Sequence, residues 1–170
     1  MYTYCIFCET GKGAVAAKAA GDFFACRAIS PRQIQHTWSK EGGPQEIERD
    51  LLPGYIFLYS ENPLNFSRLY AIRWGGVLYA LSGSAGEYQL AGQDEAFALM
   101  LLTKDGVLGK TKVYEEGQRL HIQEGAFAGL DAVILKVERR LKRMQIEIPF
   151  SGRKVKTWVE YEVIQSMTDG

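Results

Sequence analysis

Leu130-Asp131-Ala132-Val133-Ile134-Leu135-Lys136-Val137-Glu138-Arg139-Arg140-Leu141-Lys142-Arg143-Met144-Gln145-Ile146-Glu147-Ile148-Pro149-Phe150 is the stretch on which the fold of this chain turns. Leu130, Val133, Ile134, Val137, Leu141, Met144 and Ile148 recur at helical spacing with basic residues between them, so 130–148 fits an amphipathic helix. The same residues also fit two strands, 132–138 and 144–150, joined by a tip at 139–143. In the second of these, Met144, Ile146, Ile148 and Phe150 alternate with Gln145, Glu147 and Pro149. Periodicity alone does not choose between the two.

The flanks of this stretch are strand-like. Leu120 and Ile122 alternate with Arg119, His121 and Gln123, and Val155, Thr157 and Val159 alternate with Lys154, Lys156 and Trp158. Several short strands within about 50 residues make a small all-β barrel. Before them, 105–116 is charged, glycine-punctuated and poor in large apolar groups, which reads as a linker between domains 1–104 and 117–170.

The first domain mixes periods. Tyr2–Cys8 reads as a strand, the alanine-rich 14–24 as a helix, and 25–29, 33–38 and 55–59 as further strands. Asn62-Pro63 has the chemistry of a helix start, with Leu64, Leu69 and Ile72 as the inner face. Residues 77–81 return to strand and 94–103 to helix. This order predicts an α+β domain with helices flanking a mainly antiparallel sheet.

Composition narrows the class. The 170 residues are 46% hydrophobic and 24% charged, ordinary globular values that exclude wholesale disorder. No apolar run approaches the roughly 20 residues needed to cross a bilayer, so no membrane partner is expected, and the N-terminus lacks the pattern of a secretory signal. Three cysteines fit a reducing, cytoplasmic setting. The net charge of zero hides an asymmetry. Lys136, Arg139, Arg140, Lys142, Arg143, Arg153, Lys154 and Lys156 crowd into 136–156 against only Glu138 and Glu147. That concentration is the electrostatic footprint of a phosphate-binding surface.

Catalytic motifs are wanting. Cys5 and Cys8 stand three apart on a strand, so they point to opposite faces and do not readily share a metal. Gly11-Lys12-Gly13 is too short for a phosphate loop, and two histidines, His36 and His121, offer few general bases. No cofactor or metal is expected, and no enzymatic activity. Two surfaces remain. Leu51-Leu52-Pro53-Gly54-Tyr55-Ile56-Phe57 places Tyr55 and Phe57 on one strand face; either both faces of this strand are buried in the core, or these residues make, with Leu52, an apolar patch suited to gripping helices of a partner. The basic cluster, with three guanidinium forks, suits the phosphates of folded RNA.

These residues resemble the NusG family of transcription elongation factors. The Leu51–Phe57 segment resembles the apolar-Pro-Gly-Tyr-apolar stretch of the family's N-terminal NGN domain. Gly117-Gln118-Arg119-Leu120-His121-Ile122, with Glu124 to Val133, resembles the KOW motif that opens its SH3-like C-terminal barrel. Phe150-Ser151-Gly152-Arg153 and Val159 to Ile164 resemble the closing strands. Ala126 stands where the family commonly has Pro, and the usual early Trp is missing from the first strand.

The resemblance implies a monomeric, processive factor whose Leu52, Tyr55 and Phe57 contact the β′ clamp helices of RNA polymerase. The basic 136–156 region is more similar to specialised antiterminators of the LoaP type, which implies that Lys136, Arg139, Arg140, Lys142, Arg143, Arg153, Lys154 and Lys156 hold an RNA hairpin in an operon leader. Nontemplate DNA or a ribosomal protein are further partners the family implies. A branch resembling RfaH hides its polymerase surface behind a helical KOW domain. The β-formers Ile146, Ile148, Val155 and Val159 and the turn Ser151-Gly152 favour the barrel here.

Overall fold

A computed structural model describes residues 1–83 and 86–164. Its elements run β1 (Tyr2–Cys8), α1 (Gly13–Phe24), β2 (Arg27–Ile29), β3 (Arg32–Trp38), β4 (Pro44–Asp50), β5 (Tyr55–Ser60), a 3-10 helix over Leu69–Gly75, β6 (Val77–Ala80) and α2 (Gly92–Thr103). There follow β7 (Val107–Leu108), β8 (Thr111–Glu116), β9 (Arg119–Glu124), β10 (Val133–Glu138), β11 (Arg143–Phe150) and β12 (Arg153–Val163).

The front half is built on a sheet of order β2-β5-β1-β6. β1 and β5 are antiparallel, with Tyr4 opposite Leu58 and Cys5 opposite Phe57. Strand alternation sorts these residues onto two faces. Tyr4, Ile6, Cys8, Ile56 and Leu58 pack on Ala16, Ala19 and Ala20 of α1 and on Ile72. Cys5, Phe57 and Tyr59 pack instead on Phe97, Ala98 and Leu101 of α2. Cys5 and Cys8 therefore lie in different cores, and burial pushes both thiols above their ordinary range.

Two expectations fail here. Asn62-Pro63 starts no helix, and helical turns begin only at Leu69. The Leu64 amide donates to the Tyr4 hydroxyl at 3.1 Å, and Phe66 sits edge-on to Tyr4 and Phe24 at 5.2 and 5.3 Å. Anchoring of those side chains to the core holds the segment out of the helical path its capping residues favour. The supposed linker 105–116 holds two strands. β7 pairs in parallel with β3 in a small sheet of order β4-β3-β7, and β8 belongs to the rear half. Gly106 makes this join (φ +78), and a Cβ there would meet the Ile29 side chain at 2.4 Å.

The rear half is a five-stranded sheet of order β10-β11-β12-β8-β9. Residues 130–150 take the strand reading: Met144, Ile146 and Ile148 lie opposite Val159, Thr157 and Val155. Lys142 and Ser151 take left-handed φ values of 53° and 52° to turn the chain at either end of β11. β9 and β10 are the edges of this sheet and do not pair with each other. The small barrel expected is therefore present as a curled half-barrel, with Phe127 filling its inner side at 2% exposure. Residues 165–170 of the expected second domain lie outside the described residues.

Candidate protein and nucleic-acid interfaces

The apolar ledge comes from a turn. Gly54 (φ +94) lets the chain reverse after Leu51-Leu52-Pro53 and enter β5, while a Cβ at this position would meet the Phe7 ring at 2.6 Å. β5 then sends Tyr55 and Phe57 to the α2 face. Leu52 and Phe57 are 2% and 0% exposed and Tyr55 is half-buried. Within the front half Phe57 packs on Phe97 at 5.8 Å and Tyr55 on Phe7 at 5.3 Å, and the rear half adds to this cover. Phe150 of β11 lies 5.4 Å from Phe57, 5.9 Å from Tyr55 and 6.1 Å from Phe97, each edge-to-face. Phe97 also meets Phe127 at 6.2 Å. Tyr55, Phe57 and Phe97 form an aromatic strip, and in this conformation the half-barrel closes over it.

Polar contacts stitch the same seam. The Thr157 hydroxyl donates to the Leu51 carbonyl. Gln33 Nε2 donates to Trp158 O at 2.8 Å, and the Ser151 amide donates to Asp94 Oδ2 at 3.0 Å. Burial raises the Asp94 carboxyl, opposed by that amide. On the hairpin of β3 and β4, the His36 amide donates to Glu160 Oε1 at 2.7 Å, and its Nδ1 lies 2.8 Å from Glu160 Oε2. Its Nε2 lies 3.1 Å from Glu46 Oε1. The hydrogen bond to Glu160 raises the His36 imidazole above its ordinary value. His36, Thr157, Glu160 and Phe150 are site residues the sequence reading misses. Glu160 gives no local signal, because it holds an outward position of β12 between the inward Val159 and Tyr161.

The basic residues are only partly brought together. Pairing across β10, β11 and β12 sets rows on the outer face: Glu138, Arg143 and Glu160; Lys136, Gln145 and Trp158; Val133, Glu147 and Lys156; then Pro149 and Lys154. Four cations there alternate with three carboxylates, which dilutes the field that the linear count implies. Arg139 donates to Glu115 Oε1 at 2.9 Å and to Gln118 O at 2.7 Å, tying the tip to β8 and β9. Lys142 lies over the Tyr161 ring at 5.9 Å. Arg153 belongs to the seam instead: it donates to Tyr79 Oη at 3.2 Å and lies at the far end of β11, roughly 23 Å from the tip. Lys136, Arg140, Lys154 and Lys156 are exposed and form no ion pair among the described residues. Arg143 is half-buried.

Fold and surfaces define a two-part chain, an α+β front half and a curled five-stranded rear half sharing one apolar core. No family model matches it. Among curated proteins it is similar to a transcription termination/antitermination protein NusG of Borreliella burgdorferi, 22% identical over 136 residues, which is 75% of this chain and 74% of that one. Among solved structures it is similar to one described as domain interaction in Thermotoga maritima NusG, at 14% identity and a TM-score of 0.46 over 94% of this chain and 93% of that one. The sequence similarity supports the resemblance to the NusG family. Among the described residues no helix is long and apolar enough to cross a membrane.

Proposed function

We propose that this chain is a non-enzymatic transcription elongation and antitermination factor of the NusG type. Its front half binds RNA polymerase through Leu52, Tyr55 and Phe57, and its half-barrel binds a leader RNA hairpin of the kind used by LoaP-type factors. The observation that carries the reading is the strip of Tyr55, Phe57 and Phe97, an aromatic surface of the front half over which Phe150 and Phe127 of the rear half close. Docking of polymerase helices there requires the half-barrel to move aside. On the RNA side, Lys136, Arg140, Lys154 and Lys156 are the groups with cations free to meet phosphates, and Trp158, 37% exposed among them, offers an aromatic face.

The carboxylates interleaved with those lysines favour a second reading, in which the half-barrel's partner is a ribosomal protein and the factor is a general one. Single-round transcription with purified polymerase separates the two. Readthrough that needs both this protein and a leader hairpin supports the specialised factor, and readthrough indifferent to the hairpin supports the general one. No effect on pausing or termination on any template refutes both.

A further inference from the structure

Both ring nitrogens of His36 face carboxylate oxygens, Nδ1 toward Glu160 at 2.8 Å and Nε2 toward Glu46 at 3.1 Å. A neutral imidazole has one N–H and so satisfies only one of them; the other nitrogen then turns a lone pair toward an anion. The imidazolium satisfies both. Glu160 is 6% exposed, and its two oxygens meet the His36 amide and ring, so this buried carboxylate of the rear half depends on a residue of the front half for its hydrogen bonds. Few other groups bear on the site. Glu46 comes from β4, and Lys110, just before β8, acts against the proton. Glu138 of β10 and Arg143 of β11 share the row of Glu160, and Arg49 of β4 lines a cleft with both of these. No ion pair joins Arg143 to Glu160, and Arg143 Nε is buried without a partner.

We propose that His36, Glu160 and Glu46 form a proton-operated clasp that holds the half-barrel over the aromatic ledge and releases it when His36 loses its proton. As regulation of the ledge, this rests on the reading of that surface as the polymerase site. In the closed form the His36 pKa lies above its ordinary value, so closure is favoured most at pH below that ordinary value. The contribution fades as pH rises through the raised, closed-state pKa. Opening in that window releases up to one proton, so the open-to-closed ratio climbs by up to about tenfold per pH unit.

The test is nuclear magnetic resonance of the isotope-labelled full chain without polymerase, from about pH 5.5 to about pH 8.5. The expected result is that amides of 51–57 and of β12 shift together, with the midpoint of the His36 ring resonances, and that His36→Gln removes this response. Glu160→Gln, which keeps an acceptor for the His36 amide, lowers the midpoint toward the ordinary histidine value. Ledge amides that stay fixed while the His36 ring titrates overturn the proposal, and so does an unchanged pH response in His36→Gln. Polymerase added to the same samples separates the two readings: opening that tracks His36 without polymerase capture upholds the clasp and refutes the docking assignment.

Discussion

Phe150→Ala is the sharpest probe of the closed form. The Phe150 ring is 2% exposed and is the rear half's main apolar contact with the ledge, meeting Tyr55, Phe57 and Phe97 at 5.4 to 6.1 Å. Each such aromatic pair contributes about 0.5–1.5 kcal/mol beyond its buried area, so losing three weakens closure by roughly 1.5–4.5 kcal/mol. At 1.4 kcal/mol per factor of ten, the open fraction of a mostly closed chain rises by about one to three orders of magnitude. If the ledge is the polymerase site proposed above, apparent polymerase affinity rises by the same factor until the chain is mainly open. Titration of labelled polymerase with the wild type and the variant reads this directly. Thr157→Val, which removes only the hydroxyl bond to Leu51, gives a smaller gain of about fivefold for a lost bond of roughly 1 kcal/mol. Folded Phe150→Ala protein that binds polymerase no better than wild type would refute the argument that the half-barrel masks the docking surface.

Further outcomes follow from the same geometry. Lys136→Ala, Lys154→Ala and Lys156→Ala each flatten the log–log salt dependence of hairpin binding by roughly 0.7–0.9, whereas Arg153→Ala leaves that slope unchanged because its guanidinium is engaged with Tyr79. Gly54→Ala lowers the melting temperature, since alanine at φ +94 costs about 1–2 kcal/mol before the collision with Phe7 is added. In the native protein a thiol reagent modifies half-buried Cys26 well before Cys5 and Cys8, and denaturation brings all three to the same rate.

What the sequence discloses and what it withholds divide along a physical line. Alternation places Tyr55 and Phe57 on one face and Cys5 and Cys8 on opposite faces, because strand geometry is local. Residues 130–150 carry two periods at once, and the choice between them comes from Val155, Thr157 and Val159, whose pairing no short window contains. Asn62-Pro63 holds the chemistry of a helix start and loses to Phe66, which is anchored between Tyr4 and Phe24. The run 105–116 looks like a linker because its strands are short and charged, yet Val107 and Leu108 complete the edge of β3.

The candidate sites show the same division. That eight cations crowd 136–156 is legible in the sequence. That Arg139 turns to Glu115 and Arg153 to Tyr79 depends on partners tens of residues away. Likewise an apolar patch at Leu52, Tyr55 and Phe57 can be read from the chain, but its cover by Phe150 is a property of how the two halves meet.

A photo-crosslinking side chain at position 55, where the native tyrosine is half-buried at the seam, shows whether polymerase takes the place of the half-barrel. Without polymerase the probe captures β11 of its own chain. With saturating polymerase, capture transfers to the β′ clamp helices. Capture that stays within the chain while polymerase is bound elsewhere on the protein would contradict that transfer.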